Sequence, residues 1–244
     1  MAEQNHAINV MLRRLRVANE LGSVELDALK SVPITTKPVQ AGVTIVKDGD
    51  RPSVCVVVVD GFVIRTKHTT GGRRQIVSIH VPGDMPDLQS LHLHVMDHNV
   101  VALSECVVGF IPHESLLVLV DTHPKIAGAL WRDTLIDAAI FREWIVSLGC
   151  RNATQRMAHL ISEVARRLEE VGLKKDEQFP LPMTQQDLAD ALGLSTVHVN
   201  RVLQAIRKND LLELRNGIVT LGDAARLNAL GDFDPAYLHG NPGA

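Results

Sequence analysis

The run from Met183 to Gly222, MTQQDLADALGLSTVHVNRVLQAIRKNDLLELRNGIVTLG, admits few folds. Thr184 is an N-cap residue type, followed by the polar first turn Gln185-Gln186-Asp187. Leu188, Ala191 and Leu192 repeat at helical spacing, and Gly193 can take the positive φ that ends a helix. Ser195 is a second cap. Behind it Val199, Val202, Leu203 and Ile206 bury one side of a second helix, while Thr196, His198, Asn200, Arg201, Gln204 and Arg207 face outward. The alternating runs Leu212-Glu213-Leu214 and Ile218-Val219-Thr220 then flank Arg215-Asn216-Gly217, an Asn-Gly hairpin signal. Two capped helices about a Gly turn, followed by a hairpin, make a winged helix-turn-helix; an ordinary packed helix pair is the alternative. In such a motif the second helix enters the major groove, where Arg suits guanine and Asn suits adenine or phosphate. The candidate DNA contacts are Thr184, Gln185, Ser195, Thr196, Val197, His198, Asn200, Arg201, Gln204, Arg207 and Asn216.

A chain of 244 residues can hold one large core or two smaller ones, and a change of texture near residue 113 favours two. The net charge of −3 does not oppose DNA binding, because only the contact surface must be basic. Ser195–Gly217 carries four basic residues against two acidic, and Arg151–Lys175 six against three. Met1 to Leu12 has no apolar stretch of signal-peptide length, and no apolar run reaches the ~18 residues of a membrane span. Three scattered cysteines, Cys55, Cys106 and Cys150, predict a reducing cytoplasm and no disulfide framework. No Cys-x-x-Cys occurs, so no sequence-local metal or iron–sulfur motif is expected.

Residues 1 to about 32 read as helical, with a stripe of Ile8, Met11, Leu12, Leu15 and Val17, Arg13, Arg14 and Arg16 mostly off it, and a second helix capped by Ser23. From Pro33 to about Pro112 the texture is β. Strand runs at 42–46, 53–59, 62–66, 74–80, 100–103 and 107–111 are punctuated by Asp-Gly, Gly-Gly and Pro-Gly-Asp turns. Regular spacing of short strands predicts a double-sheet jelly roll, with 85–99 as an inserted short helix and loop. Lys125 to Leu148 predicts one long helix, ended by Gly149, whose apolar positions cover more than one face. Its two sides suit the β-domain and a second copy of the same helix, with a single-chain core helix as the alternative; Leu130, Ile136, Ile140, Trp144 and Leu148 are the residues expected to meet the second copy. Asn152 caps the next helix, and Lys174 to Pro182 reads as a polar loop; in the tail, Ala224 to Leu230 can form one more helical turn, and the Gly, Pro, Asn and Asp that end it predict fraying.

This order of parts resembles the Crp/Fnr family of bacterial transcription regulators. Gly42…Ile45…Asp48-Gly49-Asp50…Val59-Asp60-Gly61…Gly72-Arg73-Arg74-Gln75-Ile76…Pro82-Gly83-Asp84 is similar to the family's sensor roll. Asn152-Ala153-Thr154-Gln155-Arg156-Met157-Ala158 looks like the start of the helix after the hinge, and Thr184 to Leu221 like the winged helix. The resemblance implies an α+β chain. A double-stranded β-helix (jelly-roll, cupin-like) sensor domain with N-terminal helices spans 1–122, a dimerisation helix and hinge 123–149, the winged helix 150–223 and a tail 224–244. It implies a cytoplasmic, non-enzymatic homodimer on a palindromic DNA operator, with RNA polymerase as a further partner if the outcome is activation. The family's base-reading positions fall on Thr196, Val197, Asn200 and Arg201; Val197 departs from the usual polar residue, and valine can only pack on a thymine methyl.

Cyclic-AMP-binding members carry a Glu and an Arg-Ser pair after the Gly-Asp turn. Here the segment from Asp84 to Asn99 has no Arg and carries Asp84, Asp87 and Asp97. A buried phosphate needs a positive partner, which argues against cyclic AMP. The effector is left open, with its pocket expected near Pro82, Gly83, Asp84, Leu91 and Asn99, and no cofactor is assigned. His92 and His94 would share one face of an extended strand, with His98 and His80 near. They are weak candidates for a metal or haem site, and for the alternative of a metal-dependent cupin-type enzyme. A third reading is a constitutively active DNA-binding protein whose roll is purely structural.

Overall fold

The computed structural model describes residues 2–240. These fall into two compact units: 2–67 with 78–138, and 68–77 with 139–240.

The first unit opens with α1 (Ala2–Ala18) and α2 (Ser23–Lys30). Ile8, Met11, Leu12 and Leu15 are buried as their spacing requires. Two details differ from expectation: Gly22 is the cap of α2 and Ser23 its first residue, and Arg14 lies buried among the apolar residues. The strands are β1 (Thr35–Val39), β2 (Thr44–Val46), β3 (Val54–Asp60), β4 (Val63–His68) and β5 (Arg74–His80). After the short helix α3 (Ser90–Leu93) come β6 (Asn99–Ala102) and β7 (Cys106–Pro112), then α4 (His113–Thr122) and α5 (Pro124–Cys150). One sheet has the order β1-β7-β3 and the other β2-β6-β4-β5. β1 has no strand signature because Pro38 interrupts it; the proline is tolerated on a sheet edge, opposite Val107.

The nearly unbroken Val run of β3 is explained by burial on both faces. Val56 and Val58 join Val63, Val100, Ala102 and Val108 between the sheets. Cys55, Val57 and Val59 point the other way, into a core with Ile8, Met11, Leu15, Leu116, Ile126 and Leu130.

In the second unit the long helix runs through Gly149 to Cys150, rather than ending at the glycine. The Arg156 guanidinium caps its end, donating to Leu148 O at 2.7 Å and Arg151 O at 2.9 Å. α6 (Ala153–Glu170) begins at Asn152, whose Oδ1 accepts from the N–H groups of Thr154 and Gln155, both at 3.1 Å. Then follow β8 (Gln178–Pro180), α7 (Gln185–Leu192), α8 (Thr196–Lys208), β9 (Leu212–Arg215), β10 (Ile218–Leu221) and α9 (Ala224–Gly231), with a 3-10 turn at Pro235–Leu238. β8 replaces the expected loop and makes the wing a three-stranded sheet, β8-β10-β9. The tail is folded to its last described residues, because its Asp residues act as caps: Asp223 accepts from Arg226 N–H, and Asp234 from Ala236 N–H. Residues 241–244 of the predicted tail lie outside the described residues. Among the described residues, no helix is long and apolar enough to cross a membrane.

Two buried groups in the roll tie its stability to pH with opposite signs. Burial pushes the Asp87 carboxyl up from 3.8 to about 7, and pushes the His80 imidazole down from 6.5 to about 4, helped by Arg65. Between these limits the folded state holds a proton on Asp87 that the unfolded chain has lost, so this group's contribution falls as pH rises. His80 does the reverse, since the unfolded chain takes up a proton there that the fold refuses. The two slopes offset one another between about pH 4 and 6.5. Asp87→Asn removes the falling slope, so in that range unfolding free energy should rise with pH more steeply than in wild type, by up to ~1.4 kcal/mol per unit. Urea midpoints at pH 4.5 and 6.5 measure this; parallel pH profiles for wild type and variant would contradict it.

Candidate nucleic-acid interface and roll interior

The helix-turn-helix is assembled by local hydrogen bonds. Thr184 Oγ1 accepts from Asp187 N–H at 3.1 Å, and Asp187 Oδ2 accepts from Thr184 N–H at 3.0 Å, a reciprocal cap for α7. Gly193 ends that helix at φ 64°, and Ser195 Oγ accepts from His198 N–H at 3.3 Å to start α8. Val199, Val202 and Ile206 are buried beneath α8. Val197, His198, Arg201, Gln204 and Arg207 are exposed, and Thr196 and Asn200 half-buried. Thr184, Gln185 and Ser195 are also exposed, at the starts of the two helices. Asn216 (φ 51°) and Gly217 (φ 74°) make the wing turn, with Asn216 exposed at the tip. Arg207 and Arg215 both pair with Glu213 Oε1, at 3.1 and 2.7 Å. Within the same unit Arg74 holds α7, donating to Asp187 Oδ1 and Asp190 Oδ2, both at 2.6 Å. The sequence gives no sign of that contact, which spans more than a hundred residues.

The residues expected at a dimer contact separate. Leu130, Ile136, Ile140 and Trp144 are buried within their own chain, and of that set Leu148 alone is exposed. The large apolar side chains left open on α5 are Trp131 (69%), Leu135 (53%), Ile145 (68%), Val146 (46%) and, least of them, Leu148 (36%). With Ala138, Arg142 and Gly149, the positions 131, 135, 138, 142, 145 and 149 follow heptad spacing along one face of the helix. Periodicity showed that α5 has two apolar sides but not which one its own chain covers.

The expected effector region is occupied by the protein itself. Pro82, Gly83, Asp84 and Leu91 are buried, and Asn99 Oδ1 accepts from Asp48 N–H at 3.0 Å. Asp84 accepts from Arg14 Nε at 3.0 Å and from Val81 N–H at 2.9 Å. The positive charge missing from the loop comes from strand β4. Arg65, 3% exposed, donates through Nε to Pro86 O at 2.6 Å and pairs through Nη1 with Asp137 of α5. Its Nη2 lies 3.5 Å from Gln89 Oε1. The guanidinium is therefore engaged within the unit. Asp87 Oδ1 accepts from Val56 N–H at 2.7 Å, and its Oδ2 has no partner among the described residues.

The histidines do not share a strand face. His92 lies in α3, His94 follows it at φ 53°, and both are exposed, because the backbone coils there instead of extending. His98 is buried and its Nδ1 lies 2.7 Å from Asp97 Oδ1; His80 Nε2 lies 2.8 Å from Ser78 Oγ. Among the described residues no group of three or more His, Cys, Asp or Glu is placed to hold a metal ion. Burial pushes the Cys106 thiol up to about 11 and Cys55 higher still, while Cys150 is exposed.

Comparison with known proteins agrees with this architecture. Residues 36–123 match the cyclic nucleotide-binding domain, and residues 155–230 match the Crp-like helix-turn-helix domain. The chain belongs to the Crp/Fnr family of transcription regulators. It is 29% identical over 225 residues to electron transport regulator A of Shewanella oneidensis, covering 92% of this chain and 90% of that one. It is 28% identical to the transcriptional activator protein FnrL of Cereibacter sphaeroides, covering 88% of each. The solved structure of FixK2 from Bradyrhizobium japonicum superposes with a TM-score of 0.74 at 25% identity, covering 82% of this chain and 98% of that one. The β-roll, long helix and C-terminal helix-turn-helix are those of this family.

Because Arg65 is buried, removing it strands Asp137 and the Pro86 carbonyl. Arg65→Met should destabilise the protein by about 3 kcal/mol, and adding Asp137→Leu should recover more than half of the loss. A double-mutant cycle in urea reads the coupling; strictly additive losses would show that the pair contributes nothing of its own.

Proposed function

We propose that two copies of this chain bind one two-fold-symmetric operator and regulate transcription from it. The observation that carries this reading is α8, a helix buried on its Val199, Val202 and Ile206 side that leaves Val197, Arg201 and Gln204 open. Arg201 is assigned to a guanine edge, Asn200 to adenine or phosphate, and Val197 to a thymine methyl. Thr184, Gln185, Ser195 and Asn216 are assigned to the backbone of the same half-site, with Arg207 and Arg215 at its flank. The second copy meets the first along the Trp131–Leu135–Ile145 face of α5, the large apolar surface that the chain leaves uncovered on that helix. The two recognition helices then sit about one duplex turn apart, ~34 Å. The protein works in the cytoplasm, without catalysis of its own, and an activating role would add RNA polymerase as a partner.

The signal at the roll is proposed not to be cyclic AMP. The cation that would meet a cyclic phosphate, Arg65, is held by Asp137, Pro86 and Gln89, and residues 81–88 are buried. The same observations favour a second reading, in which the roll is a fixed scaffold and the protein is always competent. Equal operator affinity for purified protein and for protein assayed in cell extract would select that reading.

Selection from random duplexes tests the function: recovered sequences should be inverted repeats, and loss of enrichment would remove the proposal. Arg201→Ala should cost about 1–3 kcal/mol of operator affinity and relax preference at one base pair of each half-site. Binding unchanged at every position would take Arg201 out of the contact set. Ile145→Asp places a charge in the apolar face and should shift the protein to monomer in analytical ultracentrifugation, weakening full-site binding at least tenfold. A monomeric variant that still bound full sites as tightly as wild type would exclude this face as the dimer contact.

A further inference from the structure

The stretch after the wing is used neither by the DNA-facing helix nor by the exposed face of α5. α9 lies on α6, and the approach is close at Gly231, where a Cβ would stand 2.6 Å from His159 N. Phe233 meets the His159 ring edge-on at 5.3 Å between centroids, and Tyr237 stacks on the same ring at 5.9 Å. The Tyr237 hydroxyl donates to Glu163 Oε2 at 2.8 Å. Trp144 Nε1, from α5, donates to the same carboxylate at 3.1 Å, and Arg167 Nη1 lies 3.6 Å from its other oxygen. Arg151, at the junction of α5 and α6, donates to Asp232 O at 3.1 Å and pairs with Glu143 at 2.7 Å.

Glu163 is completely buried. A carboxylate in such a place is costly unless every donor around it is present, so the arrangement tends to be whole or absent. The groups that answer it come from three elements: Trp144 at the end of α5 and Tyr237 in the tail donate hydrogen bonds, and Arg167 of α6 supplies an ion pair. α6 in turn packs on α8.

We propose that Tyr237 is a positioning residue for operator recognition: through Glu163 and Trp144 it fixes the angle between the last turns of α5 and α6, and with it the direction in which α8 is presented. The inference rests on the two-fold operator reading. In a dimer joined along α5, a change of that angle in both copies alters the separation of the two recognition helices. Tyr237 therefore governs which half-site spacing is preferred, while contact with a single half-site is left alone. The tail's contribution is geometric and requires no contact between the tail and DNA.

The test uses the full chain and duplexes carrying two half-sites at the selected separation, and at one base pair more or fewer. Wild type should prefer the selected spacing by roughly tenfold or more, whereas Tyr237→Phe should bring the preference within about threefold at unchanged single-half-site affinity. Tyr237→Phe with the wild-type spacing preference overturns the inference. Wild type with no spacing preference overturns the two-fold reading itself, so the two failures are distinct. A second measurement needs no variant. Coupling is reciprocal, so operator binding should slow hydrogen exchange at the Phe233 and His239 amides by roughly tenfold. These amides donate to Asn228 O and Ala236 O. Exchange there that operator leaves unchanged overturns the proposal.

Discussion

A guanidinium buried in an apolar roll must be neutralised where it stands, and much of the first unit follows from how Arg65 meets that demand. Its charge is answered by Asp137, which places one turn of α5 opposite strand β4. Its Nε is answered by the Pro86 carbonyl, which holds the segment between β5 and α3 inside the roll. The same segment supplies Asp84, which answers the second buried cation, Arg14 of α1. One stretch of irregular backbone is thus held from two sides by arginines on a strand and a helix. That stretch of the roll interior is filled by the chain's own charge pairs.

The second unit solves the same problem with the sign reversed. Glu163 is the buried acid, answered by hydrogen bonds from an indole and a phenol and by an ion pair with a guanidinium. In both units the buried charge joins elements distant in sequence. Neither carries a local signature, and that explains what could be read from the sequence alone. The helix-turn-helix was legible because its parts are local: Thr184 with Asp187, Ser195 with His198, and Asn216 with Gly217 each lie within a few residues. The cap at Asn152 was legible for the same reason. The long helix was legible as a helix, but the choice of Trp131, Leu135 and Ile145 as its open face was not, since Trp144 is equally apolar and points inward. Strands β1 and β8 were lost to their prolines, and the turn at Pro235–Leu238 to a composition that reads as loop, whereas α9 was legible as a helical turn. Arg65 looked like an ordinary strand residue, because nothing near it in sequence reveals the carboxylate that pairs with it.

Family membership and local geometry answer different questions. The family fixes the order of parts and the presence of a recognition helix. Inside the roll, Asp84, Asp87 and Arg65 are held by Arg14, Val56 N–H and the Pro86 carbonyl.

The wing carries a consequence of another kind. Arg207 and Arg215 approach any duplex already sharing the carboxylate of Glu213. A phosphate that recruits either must displace an acid, not merely a hydrated cation. Fewer condensed counterions are then set free than the number of arginines at the edge suggests, and the salt slope of binding is shallower than the ~0.9 per phosphate neutralised that free cations give. In the operator reading proposed above, such an interface loses less affinity as ionic strength rises and leans correspondingly more on the base edges.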